Sequence, residues 1–432
     1  MTKKVLVISY YFPPTGGAGV QRTLKFVKYL IGYDIEPIVI TIEKDLNQPD
    51  DKELLEEVPS TLKIIRTTNY NFIGFLDYFK KLRLTNIINK INFIFNLLIT
   101  PDAMLFWYFF NRKNILEIVK KENIDTIYTT SSPYSSHLFG LYLKRKLKKI
   151  NWISDFRDAW TDNPSNHYNK LFKYNFVRRL IDKSLEKKII YSSDFVITAA
   201  EIISEYFIKT YKTDKIQTIT NGYDESDFAA IPVKEINLEK FRIMHFGSLF
   251  SNYHPMNFLN AFADFIETLS KEEKNKIEVN FYGRMKNHSS ILDFCNEKNI
   301  QKYIEFSDYI PHKTMLNKAA NYDLTLLFIP SDEFNKGVYT GKLFELIRLN
   351  VPILAMVHPD GVAANIIRNT KTGYVYDFED VSGIKSQISE CYRNWKESKL
   401  YSEYSSQKNW DEVKQYDRKI LTEKLADKIK SF

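Results

Sequence analysis

Val5-Leu6-Val7-Ile8-Ser9, then Tyr10-Tyr11-Phe12-Pro13-Pro14-Thr15-Gly16-Gly17-Ala18-Gly19, then an amphipathic run from Val20 to Leu30, stand near the start of the chain. A short apolar run rich in β-branched residues, a glycine-rich turn and a helical pattern in that order read as strand, loop and helix of an α/β unit. Glycines at such a turn let backbone N–H groups approach an anion at the helix N-terminus, where the helix dipole favours negative charge. A dinucleotide fingerprint does not fit, because Gly17-x-Gly19 needs its third glycine where Arg22 stands. A Walker loop fails too, since no Gly-Lys-Ser/Thr follows. Gly16 and Gly17 are thus candidate phosphate-approaching residues, with a plain tight turn as the alternative. Lys3 and Lys4 imitate the start of a signal peptide, but the run passes into Pro13-Pro14 without a small-x-small cleavage site and reads as a buried strand.

The same alternation continues outward. Apolar runs at 36–41, 63–66, 126–129, 151–154, 195–198 and 216–219 follow in the first half, and runs at 242–246, 276–282, 304–306, 324–328, 352–355 and 373–376 in the second, with amphipathic stretches between them. Strands alternating with helical patterns predict α/β architecture with parallel sheets covered on both faces. At roughly 150 residues per domain, 432 residues predict two or three domains. The turn cluster Thr220-Asn221-Gly222-Tyr223-Asp224 and the polar stretch after it place a boundary: a first domain over 1–222 and a second over 223–408. Residues 409–432 form a C-terminal helix, with Trp410, Val413, Ile420, Leu421, Leu425 and Ile429 on one stripe.

Composition narrows the function. With 44% hydrophobic and 26% charged residues, the chain is globular and not disordered. Cys295 and Cys391 lie far apart, which excludes a disulfide framework and a cysteine zinc site. The net charge of +8 is uneven: residues 1 to 220 carry 33 Lys+Arg against 23 Asp+Glu (33 − 23 = +10), and residues 221 to 432 carry 28 against 30 (28 − 30 = −2). Neither an RRM-like pattern nor a Cys/His finger accompanies the basic excess, so it predicts a face toward an anionic partner other than nucleic acid. Ordinary solvated lysines are the alternative. No apolar run reaches 18 residues. Residues 72–110 combine Phe72, Phe75, Phe79, Leu82, Ile87, Ile91, Phe95 and Leu98 with Lys80, Lys81, Arg83 and Lys90, and end in Phe106-Trp107-Tyr108-Phe109-Phe110. That basic, aromatic segment suits an anionic membrane surface or, equally, packs on its own domain.

Two further motifs carry chemistry. In Thr340-Gly341-Lys342-Leu343-Phe344-Glu345, Thr340 is expected to cap a helix whose first turn holds Lys342, so amides and an ammonium together face a diphosphate. Glu345 lies about one turn on and is placed to accept from a ribose diol; a solvated Lys and Glu on a surface helix is the alternative. Ser154-Asp155-Phe156-Arg157-Asp158-Ala159-Trp160 follows an apolar run and puts charges beyond a strand end, where doubly wound sheets bind ligands. A structural Asp-Arg-Asp network remains open. His137, after the polar loop Ser131-Ser132-Pro133-Tyr134-Ser135-Ser136, is placed to donate to a sugar hydroxyl or phosphate, or else to cap or pack. His312 begins a helix and receives no catalytic role. No HExxH, EF-hand or paired metal-ligand pattern is present.

In order along the chain, these motifs resemble glycosyltransferase family 4, retaining enzymes of the GT-B fold. The Tyr-Phe-Pro-Pro-x-Gly-Gly loop, Asn221-Gly222-Tyr223-Asp224, Tyr309-Ile310-Pro311-His312 and Gly341-Lys342-Leu343-Phe344-Glu345 with Pro352-Ile353-Leu354 carry the resemblance over most of the chain. Pro101-Asp102 with Trp107, Ser132 to His137 and Asp155 to Trp160 resemble a branch associated with surface polysaccharides. The resemblance implies two Rossmann-like domains, with the C-terminal helix returning to the first. It implies a nucleotide-sugar as substrate of the second domain, with Glu345 on the ribose, Ile310 offering backbone to the base, and Lys342 and Arg284 near the phosphates. Gly16 and Gly17 meet the phosphates from the first domain, where His137, Asp155 and Arg157 are the catalytic candidates. A lipid-linked or saccharide acceptor, cytoplasmic location at the inner face of the plasma membrane, no metal and no cofactor complete the expectation.

Two positions depart from the family pattern. Eight residues before Glu345 stands Gly337, where the family has a first glutamate. Gly247-Ser248-Leu249-Phe250-Ser251-Asn252-Tyr253-His254 lacks the basic pair expected after the first strand of the second domain, leaving Lys342, Arg284 or His254 to face the phosphates. A nucleotide-sugar epimerase and a degenerate scaffold subunit are therefore the competing readings.

Overall fold

The computed structural model describes residues 2–16, 18–43, 51–69, 99–161, 176–231, 234, 237–249, 255–285, 288–308 and 310–432. Most of the basic, aromatic segment expected over 72–110, together with Gly17, His254 and Tyr309, lies outside the described residues. The chain divides into two units, one of Met1–Asn221 with Arg418–Phe432 and the other of Gly222–Asp417.

The first unit is built on seven parallel strands: β1 (Lys3–Ile8), β2 (Ile35–Ile42), β3 (Lys63–Thr67), β4 (Thr126–Ser131), β5 (Asn151–Phe156), β6 (Phe195–Thr198) and β7 (Ile216–Thr218). Their order is β3-β2-β1-β4-β5-β6-β7. Val5 to Ile8 are buried on both faces, as a parallel sheet sandwiched by helices requires. Val5 pairs with Pro37 on one side and Thr126 on the other, so the strand order reverses at β1. A reversal of this kind opens a crevice beyond the carboxyl ends of β1 and β4.

The helix Ala18–Leu30 buries Val20, Leu24, Val27 and Leu30 in one core with Leu421, Leu425 and Ile429 of the helix Arg418–Lys430. Each such side chain contributes about 1.5–3 kcal/mol of apolar burial. The stripe expected as a single helix from Trp410 is in fact two helices. Trp410–Lys414, capped by the Asn409 side chain, puts Val413 into the core of the second unit, and only Arg418 onward belongs to the first. One continuous apolar periodicity serves two cores, which is why the break is invisible in the pattern.

The second unit has six parallel strands, β8 (Phe241–Phe246), β9 (Ile277–Tyr282), β10 (Ile304–Ser307), β11 (Leu324–Phe328), β12 (Ile353–Met356) and β13 (Gly373–Tyr376), ordered β10-β9-β8-β11-β12-β13. Alternation along β8 sends Phe241 and Ile243 into one core and Met244 and Phe246 into the other. The order reverses at β8, so the ligand crevice of this unit lies beyond β8 and β11. Among the described residues no helix is long and apolar enough to cross a membrane.

Candidate functional site

At the reversal point of the first unit, Gly16 is buried after β1 and the helix begins at Ala18. A Cβ on Gly19 would fall 2.4 Å from Nη1 of Arg157, so the guanidinium lies directly on the first helical turn. Nη2 of Arg157 donates to Oγ of Ser132 (3.3 Å), and its Nε lies 3.3 Å from Oδ2 of Asp158. Thus Arg157, the β4 loop and the start of this helix come together.

Asp155 parts company with Arg157. It sits inside β5, fully buried, and accepts a bidentate pair from Arg22: Nε to Oδ2 at 2.9 Å and Nη2 to Oδ1 at 2.8 Å. Tyr128 (2.5 Å) and Thr130 (3.0 Å) also donate to it. Burial alone would raise its pKa, but Arg22 and these hydroxyls hold the carboxyl below its ordinary value. Arg22 continues to the carbonyls of Ile219 (2.8 Å) and Thr220 (2.9 Å), and so ties the end of the unit to its sheet. A charge is readily buried once it is paired and hydrogen-bonded, and sequence spacing did not reveal that Arg22 was the partner.

His137 is also fully buried. Its Nδ1 lies 2.8 Å from Oγ1 of Thr129, which accepts from Nε1 of Trp152 at 2.9 Å. Burial lowers its pKa to about 3, so the ring is neutral, and its Nε2 has no hydrogen-bond partner among the described residues.

In the second unit the helix Gly341–Arg348 follows β11. Thr340 occupies the N-cap position, but its hydroxyl makes no capping bond and is buried without a partner among the described residues, contrary to the expected cap. Among the described residues, no side-chain cap bonds this helix start, a condition that suits an anion. Lys342 reaches from this turn to Gly247, just past β8, where a Cβ would meet its Nζ at 2.7 Å. Gly247 has φ +108° and Gly283 φ +132°, and a Cβ on Gly283 would lie 2.6 Å from the Gly247 carbonyl. Both positions need glycine, for conformation and for space. Desolvation lowers the pKa of Lys342 to about 8, opposed by Glu345.

Glu345, one turn along, stands 2.7 Å from Nε2 of His312. Ile310 precedes His312 and packs on the core beside the same helix. Arg284 is exposed, and its carbonyl accepts from the N–H of Leu249 at 2.9 Å, so it borders the Gly247 turn. Lys342, Glu345, Ile310 and Arg284 therefore share the strand ends of one unit. Sequence reasoning passed over His245, whose Nε2 is 3.3 Å from Nζ of Lys342, and gave His312 no part. The signal for His245 was available: a lone imidazole in an apolar strand, two residues before a glycine.

No protein-family model and no curated protein matches the chain. Similar solved structures cover nearly all of it. A structure described as trehalose-6-phosphate from E. coli bound with UDP-2-fluoro glucose is 10% identical, with a TM-score of 0.64 over 100% of this chain and 99% of that one. The fold is GT-B. WaaG, a glycosyltransferase involved in lipopolysaccharide biosynthesis, is similar to this GT-B chain at 14% identity and a TM-score of 0.57, over 98% and 99%. A protein assigned as a UDP-N-acetylglucosamine 2-epimerase from Listeria monocytogenes is similar at 10% and 0.56, over 100% and 96%.

Proposed function

We propose that this GT-B chain is a retaining glycosyltransferase of family 4 type, moving a sugar from a nucleotide-sugar to a lipid-linked or saccharide acceptor in surface-glycan synthesis. The observation that carries the reading is the Lys342 ammonium, set against the side-chain-free Gly247 turn at an uncapped helix start, with Glu345 one turn further on. An ammonium and free amides neutralise a leaving diphosphate, and a carboxylate accepts from a ribose diol. Ile310 offers backbone to the base and Arg284 borders the phosphates. Gly16, Gly17 and Arg157 are assigned to the first unit, on the acceptor side, with His137 buried beside them and Asp155 holding Arg22 behind them. Same-face attack, with the leaving diphosphate assisting deprotonation of the acceptor, needs neither a protein nucleophile nor a metal.

Peripheral attachment to an anionic membrane on its cytoplasmic side belongs to the same proposal. It is supported by the basic first half and by the exposed Phe109, Phe110, Phe176, Val177 and Leu180. Calorimetry against UDP- and GDP-sugars tests the reading: binding that falls strongly in Glu345→Ala supports it, and a folded protein that binds neither overturns it. An epimerase, the second reading, is supported by the similar epimerase fold and requires turnover of the nucleotide-sugar without any acceptor.

A further inference from the structure

His245 lies on β8, one of the two central strands of its six-stranded sheet, and is 1% exposed. Its ring sits between Phe281 on β9 (centroids 6.0 Å) and Phe328 on β11 (4.9 Å), so its orientation is fixed by packing. Nδ1 is 3.1 Å from the carbonyl oxygen of Leu326. A carbonyl only accepts, so Nδ1 donates to Leu326; the Gly247 backbone also bonds the ring, and in the neutral ring Nε2 keeps the lone pair on the side of Lys342. Burial, with the charge of Lys342 beside it, drives the imidazole pKa well below its ordinary value, so the ring stays neutral. At 3.3 Å, Nε2 then accepts from the Lys342 ammonium.

The choice of partner has a physical consequence. A carboxylate in this place would hold the lysine but cancel its charge. A neutral imidazole aims the ammonium and leaves its charge whole, with two of its three N–H donors available to an anion. A free lysine side chain has about 2 kcal/mol of rotamer entropy, and a preset one has already lost much of it before the ligand arrives. Among the described residues, the charged group that acts on Lys342 is Glu345, itself engaged by His312. With no Arg or Lys in Gly247 to His254, the placement of this one ammonium matters more.

We propose that His245 is a positioning residue for Lys342, a neutral acceptor in the sheet core that aims the ammonium at the Gly247 turn where the diphosphate of a nucleotide-sugar binds. The identity of that anion rests on the proposed function above; the aiming of Lys342 does not. Protein carrying 13C-labelled histidine tests the aiming directly. The His245 signal should show the neutral Nδ1–H tautomer, unchanged from pH 5.5 to 7, below the pH at which Lys342 loses its proton, and should shift in Lys342→Met. An Nε2–H tautomer, or titration as an ordinary histidine, overturns the proposal. Binding of UDP, GDP and ADP gives the second arm. His245→Phe should lower affinity roughly tenfold, while His245→Gln, which keeps an acceptor toward Lys342, should stay within about threefold. The effect of His245→Phe should vanish in the Lys342→Met background. Equal affinity of wild type and a folded His245→Phe, or an effect that persists without Lys342, also overturns it. Should the wild type bind none of the three nucleotides, the nucleotide-sugar reading fails, and the tautomer and its response to Lys342→Met alone decide the role of His245.

Discussion

Nε2 of His312 lies 2.7 Å from Oε1 of Glu345, joining the start of the helix His312–Ala319, which follows β10, to the helix that follows β11. Among the described residues this is the hydrogen bond that holds the Glu345 side chain, and it is made through Oε1. Glu345→Ala should weaken nucleotide-sugar binding about 10- to 100-fold, the range for losing hydrogen bonds to a charged group. His312→Ala should cost less, about 3- to 10-fold, because the carboxylate remains but is no longer held. Calorimetric titration of the two variants against UDP-sugars checks the ranking, and a larger loss in His312→Ala would refute it.

Lys342 should trade stability for binding. Its folded pKa of about 8 lies below that of an exposed lysine, so folding disfavours its charged form. That penalty is full below pH 8 and lifts as pH rises from 8 toward 10.5. Lys342→Met should therefore stabilise the protein at pH 7 by about 1–2 kcal/mol, allowing for the partial exposure of the side chain. Nucleotide affinity should run the other way, falling in the wild type as pH rises through 8 and staying low and flat in Lys342→Met. Urea unfolding and binding titrations from pH 6.5 to 9 measure both.

Acid should unfold this protein partly through its buried histidines. His137 and His245 have folded pKa values below 6.5, so the unfolded chain takes up protons that the folded one refuses. Stability from each is intact above pH 6.5 and declines as pH falls below it, by about 1.4 kcal/mol per pH unit. Asp182, raised to about 6 by burial, contributes in the opposite sense, gaining stability as pH falls through 6. Between pH 7.5 and 5.5, His245→Phe should lose about 1 kcal/mol less than the wild type, a difference in which Asp182 cancels. Urea midpoints at the two pH values give the comparison.

Arg22 and Asp155 form a pair whose halves cannot be removed singly. Arg22→Met should destabilise the first unit by about 3–5 kcal/mol, because it strands a carboxylate at zero exposure. The double variant Arg22→Met with Asp155→Leu should recover part of that loss. Thermal unfolding of the single and double variants measures it, and equal melting temperatures would show that the carboxylate finds another partner.

Membrane attachment should depend on both charge and apolar surface. Replacing Lys80, Lys81 and Arg83 by Glu, or Phe109 and Phe110 by Ser, should reduce flotation with phosphatidylserine vesicles several-fold, at about 1 kcal/mol per basic residue. Unchanged flotation would mean that the segment packs on its own unit.

The strands were legible because parallel sheets demand apolar, β-branched runs, and each expected run falls on a strand with ends displaced by a residue or two. The Lys342 and Glu345 turn was legible too, since strand ends and helix starts place ligands in such sheets. Asp155, His137 and Thr340 were not, because their surroundings come from other elements of the fold: Arg22 for Asp155, Thr129 and Trp152 for His137, and a backbone turn in which the Thr340 hydroxyl makes no cap. Local pattern specifies periodicity and leaves pairing across the sheet unstated. His245 escaped for the same reason, its meaning being set by a carbonyl on β11 and an ammonium on a helix.

The closing helix Arg418–Lys430 shares its core with Leu24 and Val27 of the first helix, and the whole second unit lies between them in sequence. On the ribosome, at about 5–20 residues per second, the first unit must wait about 10–40 s for the element that completes it. Through that interval the apolar flank of Ala18–Leu30 is uncovered, and a chain stopped anywhere in the second unit never covers it. Quality control in the cell would read such stalled chains through this flank, well before any defect in the site beside Lys342 was felt.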